Sequence, residues 1–276
     1  MKTIQGLLLS LCAISFSTLY TQAQLKPKSS NAGRDSTHIM LVAVNNPKNQ
    51  DAEKTHLDAE FKYLSNQVYL GRRDSAALPY YIPTISYFHK SGLYASASLN
   101  YLKNSAVSRI DLVTLEAGYD FTKGKYEGKL SFTEFFYNSQ STSVTSELNS
   151  TLSYENNLDL GFLKSTVTGG LDIGAALDFV LFMGASHEFS LFNDKVEINP
   201  SFGMNIASQN NYNAYYKNKK FGSSHSSHGG QGSNTTVSGN IINANAFQIK
   251  DYELSVPISY SLGKCSLNFT PNYGCL

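Results

Sequence analysis

A two-residue alternation of apolar and polar side chains recurs from about Leu93 to Tyr273, in segments of roughly ten residues separated by alternately short and long polar breaks. In Val113, Leu115, Ala117, Tyr119 and Phe121 the apolar set takes one face, while Thr114, Glu116, Gly118 and Asp120 take the other. A period of two places these residues on strands. A charged face set repeatedly against an apolar one is how the wall of a membrane-spanning β-barrel is written, with the apolar side toward lipid and the polar side toward the lumen.

The first residues stand apart from this pattern. Lys2 precedes an apolar run, Leu7 to Tyr20, that ends at small residues around Thr21-Gln22-Ala23, so residues 1–23 are expected to be a cleaved export signal. Cys12 raises the question of a lipoprotein anchor, but Leu11 stands where a small residue is wanted before a lipidated cysteine. Setting Lys2 aside, the 22 Lys and Arg of the chain become 21, against 21 Asp and Glu. A neutral mature chain has no field that would gather nucleic acid. No later stretch approaches the ~18 consecutive apolar residues of a membrane helix, so a bilayer would be crossed only as a closed barrel. Export without a helical span points to a bacterial outer membrane, with outer-membrane lipid and the barrel-assembly machinery as partners. The 18 Tyr and 16 Phe, with no Trp, can supply interfacial girdles. Cys265 and Cys275 would lie about 30 Å apart along one strand, too far for a disulfide unless the chain folds back between them.

Residues 24–55 are polar and irregular, apart from a short apolar run from Ile39 to Val44, and read as a periplasmic N-terminal arm. That run could also tuck into the barrel or pair with a partner. The barrel proper is expected over 56–276, with strand candidates at about 56–64, 82–89, 93–102, 109–122, 125–137, 146–161, 166–173, 177–190, 195–208, 248–262 and 265–273. Tight turns at Lys90-Ser91-Gly92, Lys123-Gly124, Leu163-Lys164, Phe192-Asn193-Asp194 and Gly263-Lys264 belong on the periplasmic side. The connections at 65–81, 103–108, 138–145 and 209–247 face outward, and the break near Gly174 is a short exception. The fold class is thus all-β, a transmembrane antiparallel up-and-down β-barrel. Eleven strands are recognisable, whereas a single-chain bacterial barrel with both ends in the periplasm needs an even number. The nominal count is therefore twelve with the last strand missing or replaced; the alternative is ten, with 56–64 left outside.

Several phrases carry a resemblance. They are Tyr63-Leu64-Ser65-Asn66 with Val68-Tyr69-Leu70-Gly71, Pro83-Thr84-Ile85-Ser86-Tyr87 running into His89-Lys90-Ser91-Gly92-Leu93-Tyr94, Ser108-Arg109-Ile110-Asp111-Leu112, and Glu116-Ala117-Gly118-Tyr119-Asp120-Phe121. With the alternating texture of residues 56 to 273, they make the chain resemble the small, porin-like outer-membrane β-barrel proteins of Bacteroidota. The resemblance implies place and fold, and one more aromatic-terminated strand at the C-terminal end; it carries no catalytic residues to transfer.

The alternation also sorts the charges. In 177–190, Phe179, Leu181, Met183 and Phe189 oppose Asp178, Ser186, Glu188 and Ser190; in the next strand Val196, Ile198, Phe202, Met204 and Ile206 oppose Glu197, Asn199, Ser201, Asn205 and Gln209. Near the end Tyr252, Leu254, Val256, Ile258 and Tyr260 oppose Asp251, Glu253, Ser255, Ser259 and Ser261. The lumen-lining candidates are Glu116, Asp120, Glu127, Lys129, Asp178, Glu188, Glu197 and Glu253, joined by Glu147, Asp172 and Asp251, with Lys125 and Lys129 the chief bases. Such a lumen would favour small cationic solutes if it is open. The plainer alternative is that the carboxylates hydrate a narrow interior or pair with loop Lys and Arg.

Chemistry beyond passage is sparsely encoded. His89-Lys90-Ser91 and His225-Ser226-Ser227 supply His-x-Ser, the minimum equipment of a lipid hydrolase, but one falls on a turn and the other in a Gly/Ser/His-rich loop. His225 and His228 lack fixed third and fourth metal ligands, and Walker, dinucleotide and paired-cysteine motifs are missing, so neither a metal nor a cofactor is expected. Tyr212, Tyr215 and Tyr216, followed by Lys217, Lys219 and Lys220, suit an interfacial girdle or a stacking platform for a surface ligand. His187 reads as an interfacial residue beside Glu188. The expected role is passive and not enzymatic: a narrow cation-preferring channel or a structural envelope protein. The alternatives are surface binding through the 209–247 loop, with Tyr212, Tyr215, Tyr216, His225 and His228 as contacts, and lipid chemistry.

Overall fold

The computed structural model describes residues 55–65, 68–70, 72–73, 79–104, 107–143, 145–218, 243–262 and 265–275. The expected leader, the arm with Ile39–Val44, and His225, His228 and Ser227 of the long loop lie outside the described residues. The strands are β1 (His56–Leu64), β2 (Val68–Tyr69), β3 (Arg72–Arg73), β4 (Tyr80–Phe88), β5 (Leu93–Lys103), β6 (Ser108–Lys123), β7 (Tyr126–Tyr137), β8 (Leu148–Asp159) and β9 (Lys164–Gly174). They continue as β10 (Leu177–Ser186), β11 (Phe189–Leu191), β12 (Val196–Ile198), β13 (Ser201–Ala207), β14 (Gln248–Ser255), β15 (Ile258–Leu262), β16 (Cys265–Phe269) and β17 (Asn272–Cys275), with one described helix, α1 (Asn210–Asn218), between β13 and β14.

The main sheet runs β1-β4-β5-β6-β7-β8-β9-β10-β13-β14-β17, and β11-β12-β15-β16 form a second ladder. The two ladders share one register. Ser186 pairs with Ser201 and Phe189 with Ile198, three residues further along each strand. The same holds where Ser201↔Ser255 leads to Ile198↔Ile258, and where Ser255↔Asn272 leads to Ile258↔Phe269. Between the ladders lie Pro200, Pro257 and Pro271, which have no N–H to give to a neighbour. Single bonds still cross the gap, from His187 N to Pro200 O (3.1 Å), Asn199 N to Pro257 O (2.9 Å) and Val256 N to Pro271 O (3.1 Å). The second ladder is therefore the continuation of the last four strands of the main sheet. Joined across the prolines, the described residues form eleven long antiparallel strands in sequential order, at the places the alternation marks.

β1 pairs with β4 along its whole length, from His56↔Phe88 to Leu64↔Tyr80, which overturns the ten-strand alternative in which 56–64 stays outside. No ladder among the described residues joins β1 to β16 or β17, so hydrogen bonding leaves the sheet open at its two ends. Because eleven strands alternate in direction, the two end strands run the same way.

The turns at one end are short. Gly92 takes φ +91°, and a Cβ there would come 2.1 Å from Asp120 O, so only glycine fits. Phe192, Asn193 and Asp194 are three consecutive left-handed residues (φ 54°, 56° and 61°) that reverse the chain between β11 and β12. At the other end, the connections are longer, and extra residues enter the ladders: Asn100↔Leu112 is followed by Tyr101↔Ile110, and Asn205↔Asp251 by Ile206↔Ile249. These bulges turn two adjacent residues, Asp111 with Leu112 and Lys250 with Asp251, into the same buried environment.

The two faces are inverted relative to a water-soluble sheet. Leu115, Tyr119, Leu130, Phe132, Leu152, Tyr154, Phe179, Met183, Phe202, Tyr252 and Leu254 are exposed, whereas Asn100, Thr114, Thr133, Asp172, Asp178, Asn205 and Asp251 are buried. At the long-connection end, Leu64, Tyr80, Ile82 and Leu102 form a small apolar cluster with Val107 against it.

Candidate functional site

The enclosed polar face divides into two halves. In the half nearer the short turns, Glu116 accepts a hydrogen bond from Tyr94 Oη (2.7 Å) and one from Thr133 Oγ1 (3.2 Å), and lies 3.3 Å from Lys129 Nζ. Lys129 also sits 4.6 Å over the Tyr94 ring. Register explains the meeting: Tyr94 is opposite Gly118, and Lys129 is opposite Asp120 on β6 and Glu155 on β8. A Cβ on residue 118 would fall 2.5 Å from Tyr94 Oη, so the glycine lets the ring lie across the strand. One ammonium thus faces three carboxylates.

Around this group the wall is made of short polar links. Lys164 Nζ reaches Glu127 Oε2 at 2.7 Å, Asn157 Nδ2 donates to Glu155 Oε1 at 2.7 Å, and the hydroxyls of Ser131 and Ser153 meet at 2.6 Å. Ser201 and Ser255 pair at 2.5 Å, and Asn205 Nδ2 donates to Glu253. Glu197 is half-buried opposite Ser190 and Ser259, while Glu188 is exposed with Ser190 Oγ 3.5 Å away. Asp120 Oδ1, Thr168 Oγ1, Asn199 Oδ1 and Asn272 Oδ1 are buried without a hydrogen-bond partner on the protein. Oxygens in that state on a polar wall are sites for water.

In the half nearer the long connections, buried polar side chains are hydrogen-bonded to one another. Asp111, fully buried, accepts from Tyr80 Oη (2.8 Å), Ser141 Oγ (2.7 Å) and Arg109 Nε (2.8 Å), and Arg109 Nη2 also donates to Gln140 O (2.7 Å). Thr151 Oγ1 donates to Asp172 at 2.7 Å. Asp178 accepts from Ser208 Oγ (2.6 Å), Asn210 N (2.6 Å) and Asn211 N (2.8 Å), so its carboxylate caps the first turn of α1. Buried Tyr212 and Tyr215 stack with ring centroids 6.5 Å apart, and Tyr215 Oη donates to Thr142 O (2.6 Å) in the β7–β8 connection.

The eight lumen candidates fall into three settings. Glu116, Asp120, Lys129 and, at one strand's remove, Glu127 share the turn-side half, and Glu188, Glu197 and Glu253 lie along the strands that cross the proline gap. Asp178 instead holds a helix. Tyr212 and Tyr215 point into the protein from α1 rather than forming a girdle, because the Asp178 cap turns their helix inward; Tyr216 is in the same helix, and His225 and His228 lie outside the described residues. Lys125, read as a lumen base, is exposed in the β6–β7 turn. His187 directs Nδ1 to Phe162 O and packs edge-on against Phe189 at 4.4 Å, and His89 Nδ1 meets Ser91 Oγ at 2.8 Å within one exposed turn.

Sequence reasoning missed β1 as a source of wall charge: Asp58, Glu60 and Lys62 share the register face of Ser86, Thr84 and Ile82. It also missed Asp111 as a buried centre. The only trace in the chain is a broken alternation, since Asp111 and Leu112 both turn inward at the bulge.

Comparison with protein-family models, with curated proteins and with solved structures gives no match for this chain.

Proposed function

We propose that this protein is a bacterial outer-membrane β-barrel whose acidic lumen admits small cations, a narrow channel held closed at its outer mouth. The observation that carries the reading is the inversion of the two faces: exposed Leu, Phe and Tyr on the outside of the strands, buried or half-buried carboxylates, amides and hydroxyls inside. In water such a sheet would leave a large apolar surface uncovered; in lipid it is the stable arrangement.

Dimensions support the same reading. On β6 the outward apolar residues run from Ile110 to Phe121, roughly 37 Å of strand at ~3.4 Å per residue, or about 28 Å at the ~40° tilt usual in membrane barrels. That is close to the ~25 Å apolar band of known barrels. Near the turn end, Tyr119, Phe121 and Tyr126 form a chain of ring contacts at 6.1 and 5.7 Å, and Tyr126 Oη meets Tyr154 Oη at 2.6 Å, an aromatic group with polar tips that suits the membrane interface.

Cation preference follows from the wall. Glu116, Asp120, Glu127, Glu155, Glu188, Glu197 and Glu253 outnumber Lys129 and Lys164 in the part of the wall that carries buried oxygens without a partner on the protein. Reconstitution in planar bilayers tests the function: cation-selective current steps are expected, and fully inserted protein that passes anions as readily as cations would defeat it. Surface binding through Tyr212 and Tyr215 is the weaker reading, because both rings are buried.

A further inference from the structure

We propose that helix α1 is a latched plug: seated in the outer mouth, it blocks passage through the lumen, and its release opens the path. The inference rests on the barrel reading above and concerns how that lumen is regulated.

The helix has little reason of its own to form or to stay. Its sequence, Asn210–Asn218, carries four asparagines and no acidic residue in its first turn, and it is short. The missing acidic cap comes from another element, since Asp178, at the start of β10, takes the first backbone donors of the helix and the Ser208 hydroxyl together. Asn211 then fastens the same turn to the β9–β10 connection, accepting from Ala176 N (2.8 Å) and donating to Asp172 O (3.3 Å). Gly174 leaves the room for this, for a Cβ there would come 2.8 Å from Asn211 Oδ1. The far side of the helix is tied to the β7–β8 connection by Tyr215 Oη on Thr142 O, and the chain before it to the returning segment by Gln209 N on Ala244 O (2.6 Å).

Two other connections and the returning part of its own therefore converge on one nine-residue helix at the end of the sheet where the interior is buried. These ties are polar. Apart from Tyr212, Tyr215 and Ala207, the helix and the chain leading into it bury polar groups, among them Ser208, Gln209 and Asn211, whose hydrogen bonds are exchanged for bonds to water on release, those to the Asp178 carboxylate at the greater cost. Release exposes the Tyr212 and Tyr215 rings and otherwise mainly polar surface. Asn213 Oδ1 on the helix itself, like Asp120 Oδ1 and Thr168 Oγ1 in the wall nearer the short turns, is buried without a hydrogen-bond partner on the protein.

The test compares full-length wild type with Asp178→Ala, which removes the cap, and Tyr215→Phe, which deletes one hydroxyl and keeps the ring. Planar-bilayer recording should show wild type closed for most of the time and each variant open at least fivefold longer. Hydrogen exchange, read by mass spectrometry on the folded protein in detergent, should show the 208–216 peptide protected in wild type and exchanging at least tenfold faster in Asp178→Ala, with peptides from β6 and β7 unchanged. Equal open times in all three proteins, or an unprotected 208–216 peptide in wild type, would overturn the plug while leaving the barrel standing. Protein that folds with 208–216 protected but never enters a bilayer would overturn the barrel reading, and the plug with it.

Discussion

Lys129 Nζ lies 3.3 Å from Glu116 Oε1 on the neighbouring strand, with Asp120 and Glu155 opposite it on either side. One cation therefore tempers a group of carboxylates on the polar face of the sheet. Lys129→Met should raise the cation-to-anion permeability ratio about threefold, and Glu116→Gln should lower it; reversal potentials in a salt gradient read both. Opposite signs for the two variants are the expected result, since they remove opposite charges from one low-dielectric site.

Asp111 collects Tyr80, Ser141 and Arg109 in a fully buried position. Asp111→Ala leaves a guanidinium and two hydroxyls without their acceptor, and should destabilise the folded protein by about 2–4 kcal/mol. Urea unfolding followed by heat-modifiable gel migration measures it. Ser141→Ala, which deletes one donor, should cost about 1 kcal/mol.

Gly118 lies beneath the Tyr94 ring, where a Cβ would also come 2.4 Å from Leu130 O. Gly118→Val must displace both the ring and a backbone carbonyl, and is expected to cost about 1–3 kcal/mol. Gly169, with nothing within 4 Å of an added Cβ, is the control: Gly169→Ala should be neutral or slightly stabilising by the same assay.

The proline gap makes a kinetic prediction. Val256 N donates to Pro271 O, but Pro271 has no N–H to return, so half of that pair's bonding is missing. Pro271→Val supplies the donor, and amide exchange in β15 and β16 should slow several-fold. The stability change should stay within about 1 kcal/mol, because the added bond is offset by the freer unfolded chain.

The strands were legible because their signal is periodic. Eleven segments with a period of two survive local irregularity, and the proline gap did not hide any of them, since the register is the same on both sides of it. What was not legible is what acts across the sequence rather than along it. Asp111 and Lys250 sit at bulges, where a single inserted residue reverses the face of everything beyond it and the alternation gives the wrong side. Helix α1 is capped by a residue 32 positions earlier, so nothing in its own nine residues announces it. Tyr212 and Tyr215 looked like a girdle because tyrosine spacing alone does not tell a ring in lipid from a ring packed in a mouth. The count of eleven was read correctly, but the closed twelve-strand barrel was an extrapolation from parity, and the hydrogen-bonded sheet ends at β1 and β17.

The chain has no tryptophan, which permits the most direct test of the inverted faces. Phe132 is exposed on the outside of β7, and Phe182 lies inside, where its ring covers Gly184 and Gly203. Phe132→Trp and Phe182→Trp proteins, reconstituted in vesicles of brominated phosphatidylcholine, each report on one face. Strong quenching of the Trp at position 132 and little of that at 182 is expected. Equal quenching at the two positions, or none at 132, would contradict it.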